Sequence, residues 1–148
     1  MRPAFLLNNM ICTLKVDLLF GHFAEEPWQG TLEIDSSSTL EDLHYAIQAA
    51  VNFGNDHLYG FYVARTPRSR DRLLLDDENG GIYSTSLESL YPLGKGRNLY
   101  YLFDFGDHWL FKVTKCRTRP FAPVKGCQYP RVLSFNGTTP VQYPLTEE

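Results

Sequence analysis

The sequence lacks several features that would point directly to a function. With a net charge of -3, it lacks the basic excess typical of proteins that bind nucleic-acid phosphates. Its three cysteines show no CxxC spacing, which argues against a disulfide framework and against a zinc knuckle. It contains no glycine-rich phosphate loop and no apolar run long enough to span a membrane. We therefore expect a cytoplasmic protein with reduced thiols that requires neither a metal nor another cofactor.

The composition that is present suits one well-packed domain. The chain has 148 residues, of which 43% are hydrophobic and 14% are aromatic. A chain of this length buries roughly two-thirds of its unfolded surface when it folds. We predict a single domain that spans 1–148, with flexible ends at 1–10 and 141–148.

Alternating apolar and polar residues predict a series of strands. The expected strands cover 11–20, 28–35, 58–64, 73–75, 99–105 and 109–117, with a further edge strand at 132–135. The strand at 99–105 is largely apolar on both faces, whereas 109–117 has Trp109, Phe111 and Val113 on one face and Lys112 and Thr114 on the other, and Gly106-Asp107-His108 separates the two strands. This pattern predicts a hairpin at the centre of the molecule, around which the other elements are arranged.

One main helix is predicted between the second and third strands. Apolar residues recur at helical spacing from Leu40 to Val51, and Gly54 is a left-handed stop. Two capping pairs are available at its start: Ser38 with Glu41, and Thr39 with Asp42. We expect His44 on or near the polar side of this helix, at the surface. His57 follows Asp56 just before a strand, where a capping role is expected.

The order of elements is strand, strand, helix, strand, short strand, one-turn helix, strand. This is the order of a β-grasp fold, in which one helix packs across a mixed sheet, and the strand at 109–117 would extend it. We therefore predict an α+β fold in which one main helix packs on a mixed or antiparallel sheet. An α/β roll with the helix on one face is the alternative.

The central hairpin carries the candidate functional residues Asp104, Asp107, His108 and Trp109. Two carboxylates and an imidazole could hold a divalent cation or share acid and base roles. Neighbouring strand residues point to opposite faces, however, and no further ligand stands out by its spacing. We predict no metal and no catalytic residue, and we expect Asp104 to bond to the backbone amides of its own turn. An enzyme centred on Asp104 and Asp107 is kept as an alternative.

A basic loop supplies a candidate nucleic-acid contact. Its arginines are Arg65, Arg68, Arg70 and Arg72. They could form one basic face with the cations of 112–119, and the rings of Tyr62, Tyr100 and Trp109 could stack on bases. The competing interpretation is a solvated loop beside the polar side of an edge strand.

Three spaced segments resemble the plasmid open-reading-frame-three-like family, whose members are also described as insertion-element passengers with a resolvase-like label. The segments are 39–50 (TLEDLHYAIQAA), 55–62 (NDHLYGFY) and 101–109 (YLFDFGDHW), followed by Tyr-Pro-Arg-Val at 129–132. The resemblance covers about residues 11–133. It implies no established activity, and no recombinase motif is found. Two features differ: Phe111 stands where many members carry histidine, and 134–148 replaces a tail rich in cysteine and proline.

These observations favour a soluble, non-enzymatic domain that works through protein contacts, in an accessory role linked to mobile elements. A sheet edge and exposed aromatic anchors would serve such contacts. The alternatives are a nucleic-acid-binding accessory protein of recombination or transposition, and the enzyme centred on Asp104 and Asp107.

Overall fold

A computed structural model describes residues 9–24 and 26–143 of the chain. Of the ends predicted to be flexible, 1–8 and 144–148 lie outside the described residues. Residues 141–143 lie against the loop at 53–57, where the buried side chain of Gln142 accepts a hydrogen bond of 2.7 Å from the Gly54 amide.

Seven strands form a single sheet in the order β4-β3-β5-β6-β1-β2-β7, and every neighbouring pair is antiparallel. The strands are β1 (Ile11–Phe20), β2 (Trp28–Asp35), β3 (Tyr59–Ala64), β4 (Leu73–Leu75), β5 (Asn98–Phe103), β6 (Trp109–Lys115) and β7 (Arg131–Gly137). The helices are α1 (Leu40–Val51), α2 (Gly81–Ser84) and α3 (Leu87–Leu90). The predicted positions of the strands are confirmed to within about two residues at each end.

The predicted fold class is wrong. The molecule is mostly a seven-stranded antiparallel sheet, and its helices have only 12, 4 and 4 residues, so it is not an α+β fold built on one main helix. The α/β roll is not the architecture either.

The expected β-grasp arrangement also fails, because of the position of β6. We expected this strand to extend the sheet, but it pairs with β1 on one side and with β5 on the other. Strands β1 and β5 run in the same direction. Because β6 separates them, both contacts are antiparallel, and the mixed sheet of a β-grasp fold does not form.

The main core lies between one face of the sheet and the helices. Its largest fully buried side chains are Trp109, Tyr101, Phe61, Phe103 and Phe111. Helix α1 contributes Leu40, Leu43 and Ile47 to the same cluster, as the helical spacing predicted. The N-terminus of α1 uses only one of the two predicted capping boxes, in which Thr39 Oγ1 accepts from the Asp42 amide and Asp42 Oδ2 accepts from the Thr39 amide.

The opposite face of the sheet holds a smaller buried cluster. It comprises Tyr62, Ala64, Tyr100 and Leu110. The basic loop at 65–72 folds back against this cluster, because the Tyr62 hydroxyl donates to the Pro67 carbonyl oxygen at 2.8 Å. Within the described residues, the longest helix is α1 at 12 residues, and no helix is long and apolar enough to cross a bilayer.

Candidate functional site

The two ends of strands β3, β5 and β6 carry opposite charges. At one end Tyr59, Phe103 and Trp109 lie in register, and the loops there carry carboxylates; we call it the acidic end. Its carboxylates are Asp56, Asp77, Asp104 and Asp107. The other end, the basic end, lies where β5 begins and β6 stops, and it carries Arg65, Lys95, Arg97 and Lys115. The net charge of -3 conceals this separation.

At the acidic end, His44 is the centre of a buried hydrogen-bond network. The side chain is 1% exposed, so its predicted position at the surface is wrong. Its Nε2 bonds to Asn55 Oδ1, and its Nδ1 lies 2.5 Å from the Tyr101 hydroxyl. An amide oxygen only accepts, so Nε2 carries the proton and Nδ1 accepts from Tyr101. The Gln48 side chain completes the network. Its Nε2 donates to the Tyr101 hydroxyl oxygen at 2.9 Å, and its Oε1 accepts from the Asn55 backbone amide at 3.0 Å.

This arrangement keeps His44 neutral. Burial lowers its pKa from 6.5 to about 4, although the bond to Asn55 opposes the shift. The imidazole also stacks on the Tyr59 ring, with centroids 3.5 Å apart and planes 1° from parallel. A protonated Nδ1 would face the Tyr101 hydroxyl hydrogen, so the network itself favours the neutral form.

The second histidine of the acidic end, His57, is half-exposed and lies among oxygen atoms. Its Nε2 lies 3.4 Å from Asp104 Oδ2 and bonds to the Tyr143 hydroxyl. That hydroxyl donates to Asp56 Oδ2 at 2.8 Å, and Gln142 donates to the other oxygen of the same carboxylate at 2.8 Å. These bonds lower the pKa of Asp56. The cluster therefore fastens residues 141–143 to the loop before β3.

Asp104 stands where the sequence placed it, in the turn of the hairpin. Its φ of 59° is left-handed, a conformation that aspartate tolerates better than most residues. Its Oδ1 accepts from the amides of Gly106 and Asp107 at 3.1 and 3.2 Å, which confirms the predicted bonding within its own turn. One carboxylate oxygen is thus committed to the turn, and the other faces His57.

The remaining predicted hairpin residues do not converge with Asp104. His108 is exposed and packs its ring edge-on against Phe20 at 5.5 Å. Trp109 is fully buried against Phe53, with ring centroids 4.9 Å apart, so it belongs to the core. Within the described part of the chain, no group of three or more His, Cys, Asp or Glu side chains could hold a metal ion.

Sequence reasoning missed the network of His44 and Asn55, and it missed His57 as the neighbour of Asp104. A signal for His44 was present, because Leu40, His44, Ile47 and Val51 recur at spacings of four, three and four residues, which places His44 in the apolar stripe. No comparable signal exists for His57, whose contacts come from distant parts of the chain. The three segments that carry the family resemblance meet at this network.

The predicted nucleic-acid arginines divide into two kinds. Arg65, Arg68 and Arg70 are exposed. Arg72 instead lies 4.1 Å above the Tyr62 ring and donates to the carbonyl oxygens of Ser69 and Pro67, so it holds the loop in place. The rings of Tyr62, Tyr100 and Trp109 are buried and do not offer faces for bases to stack on.

The basic end contains a cavity of about 460 Å³. Lys95, Arg97 and Lys115 are its charged lining residues, and Tyr91 and Val113 line its apolar part. No carboxylate is among the residues that line it. Arg97 lies 3.7 Å from Asp71 of the basic loop, so this loop and the cavity form one continuous surface.

The free edge of β7 is the third notable surface. All seven of its residues are exposed, and Val132, Leu133 and Phe135 are large and apolar. Its inner edge pairs with β2, and Arg131 anchors one end through a 2.5 Å bond to Glu33. In the order of strands, β7 is terminal, so its outer backbone groups have no strand partner among residues 9–24 and 26–143.

The fold and these surfaces define an antiparallel-sheet protein with charged ends and one long open edge. The sequence model of a family described as plasmid pRiA4b ORF-3-like protein matches residues 11–142. The chain belongs to this family, as the three segments predicted.

The chain is also similar to a curated protein and to a protein of known structure. The chain is 34% identical over 107 residues to the uncharacterized protein y4hQ of Sinorhizobium fredii (strain NBRC 101917 / NGR234), a match that covers 68% of this chain and 50% of that protein. It thus spans about half the length of this curated relative. The crystal structure of a protein of unknown function, MM3350 from Methanosarcina mazei Go1, superposes with a TM-score of 0.69 at 22% identity. That match covers 86% of this chain and 70% of the other, and it shows a shared fold alone.

Proposed function

We propose that this protein is a non-enzymatic binding module that engages a protein partner by adding a strand of the partner to the edge of β7. The observation that carries this proposal is the seven-residue exposed strand, with three exposed apolar side chains and with outer backbone groups that pair with no strand in the described part of the chain. Main-chain hydrogen bonds along such an edge supply affinity, and alternate side chains supply specificity.

The composition of β7 supports the proposal. Proteins usually protect a long sheet edge with lysine, proline, short strands or covering loops. Within Arg131–Gly137 there is no lysine or proline, and the one charged residue, Arg131, is paired with Glu33. A strand of this kind is suited to an extended apolar segment of another protein, since an anionic nucleic-acid backbone would find no free cation along it.

A selection of displayed peptides on the purified protein tests this edge. We expect the selected peptides to alternate apolar and polar residues, because both faces of an added strand must be matched. Their affinity should fall by about tenfold or more in the Leu133→Lys, Phe135→Lys double variant, because lysines on an edge strand disfavour pairing with an added strand. The control is Val124→Lys, since Val124 and Leu133 are both 52% exposed but Val124 lies outside β7.

Three results would contradict the proposal. They are an absence of selected peptides, equal binding to the double variant, and equal loss in the control. Self-association of the native protein that the double variant abolishes would identify a second copy of the chain as the partner strand.

The cytoplasmic and mobile-element setting is part of the same proposal. The thiols of Cys12, Cys116 and Cys127 are free, which suits a reducing compartment. Family membership supports an accessory role beside plasmid-borne genes.

The basic end favours nucleic-acid binding as a second candidate function. Its cavity gathers three cations without a lining carboxylate, and the exposed Arg65, Arg68 and Arg70 adjoin it through the loop. We expect the affinity for a single-stranded oligonucleotide to fall steeply as the salt concentration rises. The slope of log affinity against log salt concentration should be smaller in a Lys95→Ala, Arg97→Ala variant. Lys125→Ala, a change outside the cavity lining, is the control. A slope that no variant alters would exclude this candidate.

A further inference from the structure

A second, smaller cavity lies at the acidic end, between α1, the start of β3 and the turn that leads into α2. Its volume is about 230 Å³. The aromatic side chains in its wall are Tyr45, Tyr59 and Tyr83, and the carboxylates are Glu41 and Asp77. Each of the three elements supplies at least one tyrosine or carboxylate, so the cavity depends on the folded arrangement and not on one segment.

The electrostatic character of this cavity is negative. No lysine or arginine is among the described residues that line it. Two histidines do line it: His44 is neutral because burial lowers its pKa, and His57 faces the carboxylate of Asp104, with its Nε2 3.4 Å from Oδ2. Within the described residues, neither Glu41 nor Asp77 forms a salt bridge. Burial and these two carboxylates raise the pKa of Tyr59, because a negatively charged phenolate would be disfavoured beside them.

We propose that this cavity binds an organic cation, an ammonium or guanidinium group held between the tyrosine rings and the carboxylates of Glu41 and Asp77. Tyrosine faces attract cations that carry methyl groups or a delocalised charge, and carboxylates complete the attraction. The volume is below the range of about 300–1,000 Å³ usual for drug-sized ligands, so the occupant is a small amine or the end of one basic side chain.

The cavity is built to hold its shape without a ligand. The Tyr59 ring is fixed by its stack on His44, and His44 is fixed by Tyr101 and Asn55. A preformed wall loses little conformational entropy when it binds. Tyr45 and Tyr83 are exposed at the mouth, where they can close on a ligand.

The test compares choline with its tert-butyl analogue, in which a neutral carbon replaces the charged nitrogen. Binding is followed by amide chemical shifts in 40–45 and 80–84. We expect choline or methylguanidinium to shift these signals and the neutral analogue to leave them unchanged. Affinity should fall at least about fivefold in Asp77→Asn and in Tyr83→Ala, since each removes one attraction. The control is Asp71→Asn, which changes a carboxylate at the basic end.

The cation could be a small amine or the end of a basic side chain of a partner protein. Peptides with blocked termini and one lysine or one arginine distinguish these two sources. Tighter binding of a peptide assigns the cavity to a basic side chain of a partner, and tighter binding of the free cation assigns it to a small amine. Equal binding of choline and its neutral analogue, or affinity that survives a Glu41→Gln, Asp77→Asn double variant, would overturn the proposal. The lysine substitutions in β7 should leave cation binding unchanged, so this inference and the proposed function fail separately.

Discussion

His44 shows how one residue joins the helix to the end of the sheet. Each ring nitrogen has a single partner, and the ring face is covered by Tyr59. A histidine held in this way makes the stability of the fold depend on pH, because protonation of Nδ1 removes the acceptor for the Tyr101 hydroxyl.

We expect the folded protein to lose stability as pH falls from about 6.5 to 4 through His44. The folded pKa of about 4 lies below the ordinary 6.5, so the unfolded chain takes up the proton first and unfolding is favoured. The shift corresponds to roughly 3 kcal/mol, fully present as stability above pH 6.5. Urea unfolding at several pH values should show a flatter pH dependence in His44→Gln than in the native protein. An identical dependence in both would contradict this role, and His22→Gln, at an exposed position, is the control.

Gly137, the last residue of β7, lies in close contact with Pro27 and with Trp28 at the start of β2. Its φ is 93°, and an added Cβ would lie 2.2 Å from the Pro27 carbonyl oxygen. Gly126 has a similar φ of 87°, but an added Cβ there meets no atom within 4 Å. We expect Gly126→Ala to cost about 1–2 kcal/mol from backbone strain, and Gly137→Ala to cost more. Thermal unfolding with amide exchange of β7 measures the difference, and equal effects of the two changes would be inconsistent with the close contact.

At the level of elements, the start of α1 depends on one capping box of the two that the sequence offers. The Thr39 side chain accepts from the Asp42 amide at 3.2 Å. Thr39→Ala should therefore reduce the free energy of unfolding by about 1 kcal/mol, a typical value for the loss of such a cap. Ser38→Ala should change it little, because the side chains that bond to the backbone of this turn are those of Asp35, Thr39 and Asp42. A larger loss from Ser38→Ala than from Thr39→Ala in urea unfolding would refute this assignment.

The elements were largely predictable because their signals are local. Alternation located β1 and β2, and helical spacing located α1. The position of β6 was not predictable in this way, since alternation shows that a strand has two faces but not which strands lie beside it. The expected β-grasp order failed on that pairing, and the predicted α+β class failed because the sheet has seven strands and the helices are small.

The candidate site was predictable only in part for the same reason. Asp104 was found from its turn, whose bonds lie within four residues of sequence. His57 contacts Asp104 from 47 residues earlier in the chain and bonds to Tyr143, 86 residues after it, and no local pattern indicates such contacts.

At the level of the whole molecule, the surfaces that we propose for binding lie in different regions of the sheet. The acidic end, the basic end and the β7 edge are separate regions of one sheet, and they differ in charge and in apolar exposure. An interaction module can use such surfaces together, since independent contacts on one rigid body increase the overall affinity.

The most direct measurement is an amide hydrogen-exchange map of the protein with and without a peptide selected for binding. We expect protection of 131–137 and of its neighbour β2, because the added strand takes up the outer backbone groups of β7. Protection confined to 91–98 or to 53–58, with unchanged exchange in β7, would contradict strand addition and would place binding at one of the charged ends instead.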